Sequence, residues 1–162
     1  MKVAIIMGSD SDWPILKPAY ELLKQFGIGC EVVVASAHRT PDKVREIVTT
    51  APDRGVGVFI SAAGAAAHLG GVIASYTTLP VIGVPINATA MNGMDALLST
   101  VQMPSGIPVA TMAVNGAKNA AIFAAQIFAV HDKGMQQKME EYRKKMVEDV
   151  EKKAAHVAAQ IG

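Results

Sequence analysis

Short apolar runs alternate along this chain with longer segments of helical periodicity. Val3-Ala4-Ile5-Ile6-Met7 and Val32-Val33-Val34-Ala35 are apolar at every position rather than at every second one, the pattern of parallel strands covered on both faces. Strands are expected at Lys2–Met7, Cys30–Ala35, Val56–Ser61, Leu79–Val84 and Val109–Val114. Helical stretches between them predict an α/β fold built on one parallel sheet with crossover helices.

Start signals place the helices. Asp12 can cap free amides ahead of a first helix, with Pro14 in its first turn. Pro18 lies deeper, where it deletes one hydrogen bond, so a kink or a short 3₁₀ stretch is expected there. Thr40-Pro41-Asp42 offers a hydroxyl cap, a proline at the first helical position and an acid in the first turn. After residue 130, Met135, Met139, Tyr142, Met146, Val150, Ala154, Val157 and Ile161 recur at spacings of three or four, one apolar stripe on a long helix. The expected whole is a single domain of three layers with flavodoxin-like strand order: an α/β body over residues 1–130 and a helical extension over 131–162. The stripe must be covered, and a neighbouring subunit is the expected cover.

Composition narrows the classes. The 162 residues suit one domain, and a net charge of +1 gives no electrostatic case for nucleic acid or an anionic membrane. No apolar stretch reaches the roughly 18 residues of a membrane span, and the N-terminus lacks the basic region of a signal peptide. Cys30 is the single cysteine and reads as small apolar packing; a reducing, cytoplasmic setting is expected. Charge is distributed unevenly: between Gly55 and Val130 the only Asp, Glu, Lys or Arg residues are Asp95 and Lys118, while residues 131–162 hold seven basic and six acidic ones. An Ala- and Gly-rich core could account for that desert, but covering by other copies of the chain accounts for it more economically, which predicts an obligate homo-oligomer.

Four segments should converge at the carboxyl edge of the sheet, where open α/β folds bind ligands. Gly8-Ser9-Asp10-Ser11-Asp12 leads into a helix N-terminus suited to phosphate, with carboxylates for ribose hydroxyls, or it is simply a capping turn. In Ser36-Ala37-His38-Arg39-Thr40-Pro41, Arg39 can grip a phosphate through two parallel hydrogen bonds and His38 can act as general acid or base; a capping histidine and a solvated arginine are the rival reading. Ser61 to Gly71 is rich in small residues that let backbone approach a ligand, and it contains His68, which could equally be a packed histidine. Pro85 to Pro108, nearly uncharged, suits a pocket wall or an interface. Neither the histidines nor Asp10 with Asp12 have metal-ligand spacing, and Ser9 and Ser36 lack a hydrolase elbow.

Taken together, Gly8-Ser-Asp-Ser-Asp12, Ser36 to Pro41, Ala66-Ala67-His68-Leu69, Gln102-Met103-Pro104 and Gly106-Ile107-Pro108 resemble the N5-carboxyaminoimidazole ribonucleotide mutases of purine biosynthesis over residues 2 to 130. The resemblance implies a homo-octamer with exchanged tail helices, active sites between subunits, and transfer of a carboxylate from the exocyclic nitrogen of an aminoimidazole ribonucleotide to ring carbon 4 with neither ATP nor metal; no cofactor is implied. It assigns acid and base catalysis to His38 and ribose phosphate binding to Ser9, Asp12 and Arg39. Ser11, Ser36 and Gly64 are further candidates, and His68 is expected near the base or its carboxylate.

The third loop departs from the family pattern. Ala62 and Ala65 replace glycines and Gly70 replaces a proline; if either alanine needs a positive φ, strain of roughly 1 kcal/mol follows. A related branch carboxylates aminoimidazole ribonucleotide directly but lacks the Ala66 to Leu69 stretch, so that stretch favours the mutase. A noncatalytic nucleotide-binding module would need the phosphate contacts but no titrating imidazole.

Overall fold

A computed structural model describes residues 1–161; Gly162, the last position of the expected helical extension, lies outside the described residues. The chain falls into two compact units, residues 1–124 and those from 125 on. In the first, strands β1 (Lys2–Met7), β2 (Gly29–Val34), β3 (Val58–Gly64), β4 (Val81–Ile86) and β5 (Ala110–Thr111) alternate with helices α1 (Trp13–Gln25), α2 (Pro41–Thr49), α3 (Leu69–Ser75), α4 (Met94–Val101) and the start of α5 (Ala117–Ala129). All strand pairings are parallel, in the order β2-β1-β3-β4-β5, the flavodoxin-like order expected.

The apolar runs explain the layers. Every residue from Val3 to Met7 is buried, and successive side chains point to opposite faces, so both faces of β1 are covered. Ala4 and Ile6 join Val44 and Val48 of α2 and Leu69 and Ile73 of α3 in one core cluster. On α1 the buried residues Leu16, Ala19, Leu22 and Leu23 mark a single face.

Prolines move the strand ends. β4 begins at Val81 rather than Leu79 because Pro80 has no amide to give the ladder; its carbonyl accepts from Phe59 at 2.9 Å. β5 is two residues long rather than six. The Pro85 carbonyl accepts from Asn115 at 2.8 Å, so the proline nitrogen also faces β5 and leaves a gap in the edge ladder. β3 runs three residues further than expected, Ala62, Ala63 and Gly64 pairing with Val84, Pro85 and Ile86.

Caps also differ from expectation. The Asp12 carboxylate makes no bond to the amides of α1; its Oδ2 accepts from the Ser9 amide at 3.2 Å, closing a capping box around a 3₁₀ turn at Asp10–Asp12. α1 is α-helical through Pro18, so the 3₁₀ geometry lies ahead of the helix instead: losing one bond is tolerated where the apolar face is fully packed. Thr40 precedes α2 without capping it, its hydroxyl being used by Ser36.

In the second unit, the Asp132 carboxylate accepts from the Met135 amide at 2.8 Å and opens helix α6 (Lys133–Ile161). Of the stripe residues, Met135 and Met139 are buried, whereas Met146, Val150, Val157 and Ile161 are 52 to 81% exposed. Among the described residues no helix is long and apolar enough to cross a membrane.

Cys30, half-buried on β2, has its thiol pushed up to about 11 by burial, which suits packing rather than reactivity. Its neighbour Glu31 accepts from Lys2 Nζ at 3.1 Å and Arg54 Nε at 3.0 Å. Burial pushes that carboxyl up, but the two cations outweigh it and hold it below the ordinary glutamate value. A depressed carboxylate stabilises the fold above its unfolded value and loses that contribution as pH falls through the folded value. Glu31→Gln should therefore lower unfolding free energy by about 1 kcal/mol at pH 7 and match the wild type at acid pH. Urea unfolding across pH checks this; a gap independent of pH would contradict it.

Candidate active site

The loops after β1, β2, β3 and β4 border one cleft of about 350 Å³ at the carboxyl edge. It lies where the chain order reverses between β1 and β3, the switch point at which this fold leaves its loops splayed. Ser9, Ser11, Asp12, Ser36, His38, Arg39 and Gly64, each a candidate from sequence, all line it.

The first loop is a dense local network. Ser9 Oγ accepts from the Ser11 amide at 3.3 Å and lies 2.9 Å from Ser11 Oγ, which donates to it. Capping and cleft lining are therefore not rivals here, because the bonds that shape the 3₁₀ turn also aim its hydroxyls into the cleft. Asp12 is 5% exposed, and burial raises its carboxyl above the usual range against the opposing bond from the Ser9 amide.

Ser36 organises the second loop. Its amide donates to Thr40 Oγ1 at 2.9 Å, Thr40 Oγ1 returns a bond to the Ser36 carbonyl at 3.2 Å, and Ser36 Oγ accepts from the Arg39 amide at 3.2 Å. Arg39 Nε points to Ser36 Oγ at 3.4 Å and Nη2 donates to the Gly8 carbonyl at 2.9 Å. Two anchors thus fix the guanidinium plane at the cleft wall with donors left over for an anion.

His68 does not line this cleft. It stands behind His38, with His38 Nε2 and His68 Nδ1 3.0 Å apart, and borders a second hollow of about 420 Å³ with Gln102 and Met103. The fourth segment accordingly serves mainly that second hollow; only Ala88 reaches the first. Ala88 carries no chemical signal that sequence reasoning could have used, but it explains Gly64: a Cβ there would come within 2.6 Å of the Ala88 Cβ. Among the described residues no three histidine, cysteine or acidic side chains gather as metal ligands.

The two alanine departures behave differently. Ala62 sits buried in β3, while Ala65 adopts φ 51° in the left-handed region. That conformation costs a non-glycine residue about 1–2 kcal/mol. Gly70 is buried at the start of α3, where a Cβ would lie 2.9 Å from Ser61 Oγ. A proline there would place a Cβ at the same point, so glycine at 70 goes with serine at 61.

A family model described as AIR carboxylase matches residues 2–149. The chain is 51% identical over 161 residues to an N5-carboxyaminoimidazole ribonucleotide mutase of Thermotoga maritima, covering 99% of this chain and 94% of the relative. It is 53% identical to one of Pyrococcus horikoshii over 94% and 86% of the two chains. The crystal structure of Treponema denticola PurE superposes with a TM-score of 0.84 at 28% identity, covering 95% of this chain and 96% of that one. The chain belongs to the AIR carboxylase family.

Two stability outcomes follow from the third loop. Ala65→Gly relieves the left-handed strain but adds unfolded-state entropy of about 0.4–1 kcal/mol, leaving a net gain of up to about 1.6 kcal/mol in denaturant unfolding; a loss would contradict the assignment. Gly70→Ala should cost about 1–3 kcal/mol, and less in a Ser61→Ala background; equal costs in both would show that the hydroxyl is not the obstacle.

Proposed function

We propose that this AIR carboxylase family member converts N5-carboxyaminoimidazole ribonucleotide to 4-carboxy-5-aminoimidazole ribonucleotide in purine biosynthesis, within the cleft at the carboxyl edge of the sheet. The observation that carries the reaction is the identity of about half of all residues with curated mutases over nearly the whole chain. The cleft is favoured as its place because an imidazole, a tethered guanidinium, a buried carboxylate and three hydroxyls border one cavity.

In this reading Arg39 and the Ser9, Ser11 loop take the phosphate and Asp12 takes ribose hydroxyls. Ser36 holds Arg39 and, with Gly64, completes the binding surface. The carbamate C–N bond breaks, releasing carbon dioxide, and His38 gives its proton to the exocyclic nitrogen. Carbon 4 then attacks the trapped carbon dioxide, and His38 takes the proton that carbon 4 sheds. The proton inventory closes on itself. Small walls at Ala63, Gly64 and Ala66 support confinement of carbon dioxide beside carbon 4. His68, which does not line the cleft, acts on the site through its contact with His38.

A cytoplasmic homo-octamer is part of the same proposal, with the extension from residue 131 seated on a neighbouring subunit. It is supported by the exposed stripe of α6, by the exposed Met94, Leu98 and Val101 on one face of α4, and by the charge desert that contains α4. The family description, AIR carboxylase, favours one alternative, in which aminoimidazole ribonucleotide is carboxylated directly. The two readings differ in the carboxylate donor.

His38→Asn should keep assembly and ribonucleotide binding while cutting turnover by at least roughly 10²-fold; retained turnover in a steady-state assay would remove His38 from the chemistry. Arg39→Ala should instead weaken ribonucleotide binding roughly 10- to 100-fold, as loss of a charged hydrogen-bonding group does. Unchanged affinity by calorimetry would contradict its phosphate role.

A further inference from the structure

The contact between the two histidines has a chemical consequence for the acid–base step. His38 Nε2 and His68 Nδ1 face each other at 3.0 Å, with ring centroids 5.0 Å apart and planes at 77°. A facing pair of ring nitrogens at that distance holds a single proton, so one ring donates and the other accepts. Because Nε2 of His38 is occupied in this way, Nδ1 is the nitrogen left for a ligand.

Only one arrangement leaves His38 able to act as a base. If His68 donated, a neutral His38 would have to carry its own proton on Nδ1 and could accept none there. If His38 donates, its proton sits on Nε2 and Nδ1 is free. We propose that His68 is a positioning residue that holds His38 in the Nε2–H tautomer, making Nδ1 the nitrogen that exchanges protons with substrate. The proposal rests on the acid–base role given to His38 above and names the atom that performs it.

The proton count is consistent through the cycle. Protonated His38 carries hydrogens on both nitrogens and gives the Nδ1 proton to the exocyclic nitrogen as the carbamate breaks. Neutral His38 then takes the carbon 4 proton on Nδ1. The Nε2 proton stays between the rings throughout, and its bond to His68 strengthens when His38 is charged, because a charged donor makes the stronger hydrogen bond. Accepting at Nδ1 requires His68 to hold its own proton on Nε2. His68 is exposed and borders the second hollow, where Ser99 and Gln102 are the other polar side chains. The arrangement follows the general rule that the bond made by one ring nitrogen sets the state of the other.

The test is the tautomer itself, read on ligand-free protein with ¹⁵N-labelled histidine by two-bond proton–nitrogen correlation, with His38 assigned by its disappearance in His38→Asn. Wild-type His38 is expected to be protonated on Nε2 and bare on Nδ1. His68→Leu, which has no acceptor, should shift His38 toward a mixture of tautomers, and His68→Gln, whose Oε1 can accept, should restore the wild-type pattern. In steady-state assays His68→Leu should lower kcat about tenfold with little change in KM, and His68→Gln should recover part of the loss. An Nδ1–H tautomer in the wild type, or a His38 spectrum unchanged by His68→Leu, would overturn the proposal. The spectra need no substrate, so absence of mutase turnover would count against the proposed reaction and leave the tautomer assignment standing.

Discussion

One residue, Gly8, ties the loop after β1 to β3 and to the loop after β2. The Gly8 amide donates to the Ala62 carbonyl at 3.0 Å, and the Gly8 carbonyl accepts from Arg39 Nη2 at 2.9 Å. The loop after β1 is thereby tied to the end of β3 on one side and to the loop after β2 on the other. The parallel register makes this possible, since Met7 stands opposite both Val34 and Ala62. β1 and β2 end level while β3 runs on to Gly64, so Gly8 leaves the sheet beside both neighbours and can bond to each of them. A guanidinium on a free loop would lose rotamer freedom on binding an anion; here the fold has already fixed it.

The cleft divides its labour by side-chain size. Loops after β1 and β2 supply the polar groups, held by Ser9, Asp12 and Ser36 in bonds that also build the turns. Loops after β3 and β4 supply walls, and their small residues permit close approach, as the Gly64 contact with Ala88 illustrates. That division explains why the stretch with almost no charges still borders the site. Its contribution is shape, and a small, closely walled space is what the proposed carbon dioxide intermediate requires.

Much of this was legible along the chain. Unbroken apolar runs marked the strands. In β1 this is because both faces are buried, whereas in β2, an edge strand, Val32 and Val34 are exposed and the expected cover on both faces is not found. The polar residues just past β1 and β2 could only gather where those strands end. The strand order also followed. Other features depended on partners distant in sequence. The ends of β4 and β5 are set by which carbonyl each proline turns toward a neighbour. The Asp12 and Thr40 side chains bond backward, to Ser9 and Ser36, a choice that helix-start signals do not encode. The strain at Ala65 could be stated only as a condition until its φ was known, and Gly70 made sense only beside Ser61. Nothing in the thirty-residue separation of His38 and His68 announces that their rings touch.

The central claim is that the carboxylate comes from the substrate's own carbamate. The direct test gives the protein carboxylate-labelled N5-carboxyaminoimidazole ribonucleotide and, separately, aminoimidazole ribonucleotide with labelled bicarbonate, following label at carbon 4 by NMR. Rapid enzyme-dependent transfer from the carbamate, with little from the second mixture, is the predicted result. Efficient product from aminoimidazole ribonucleotide and bicarbonate, or no enzyme-dependent product from the carbamate, would contradict it.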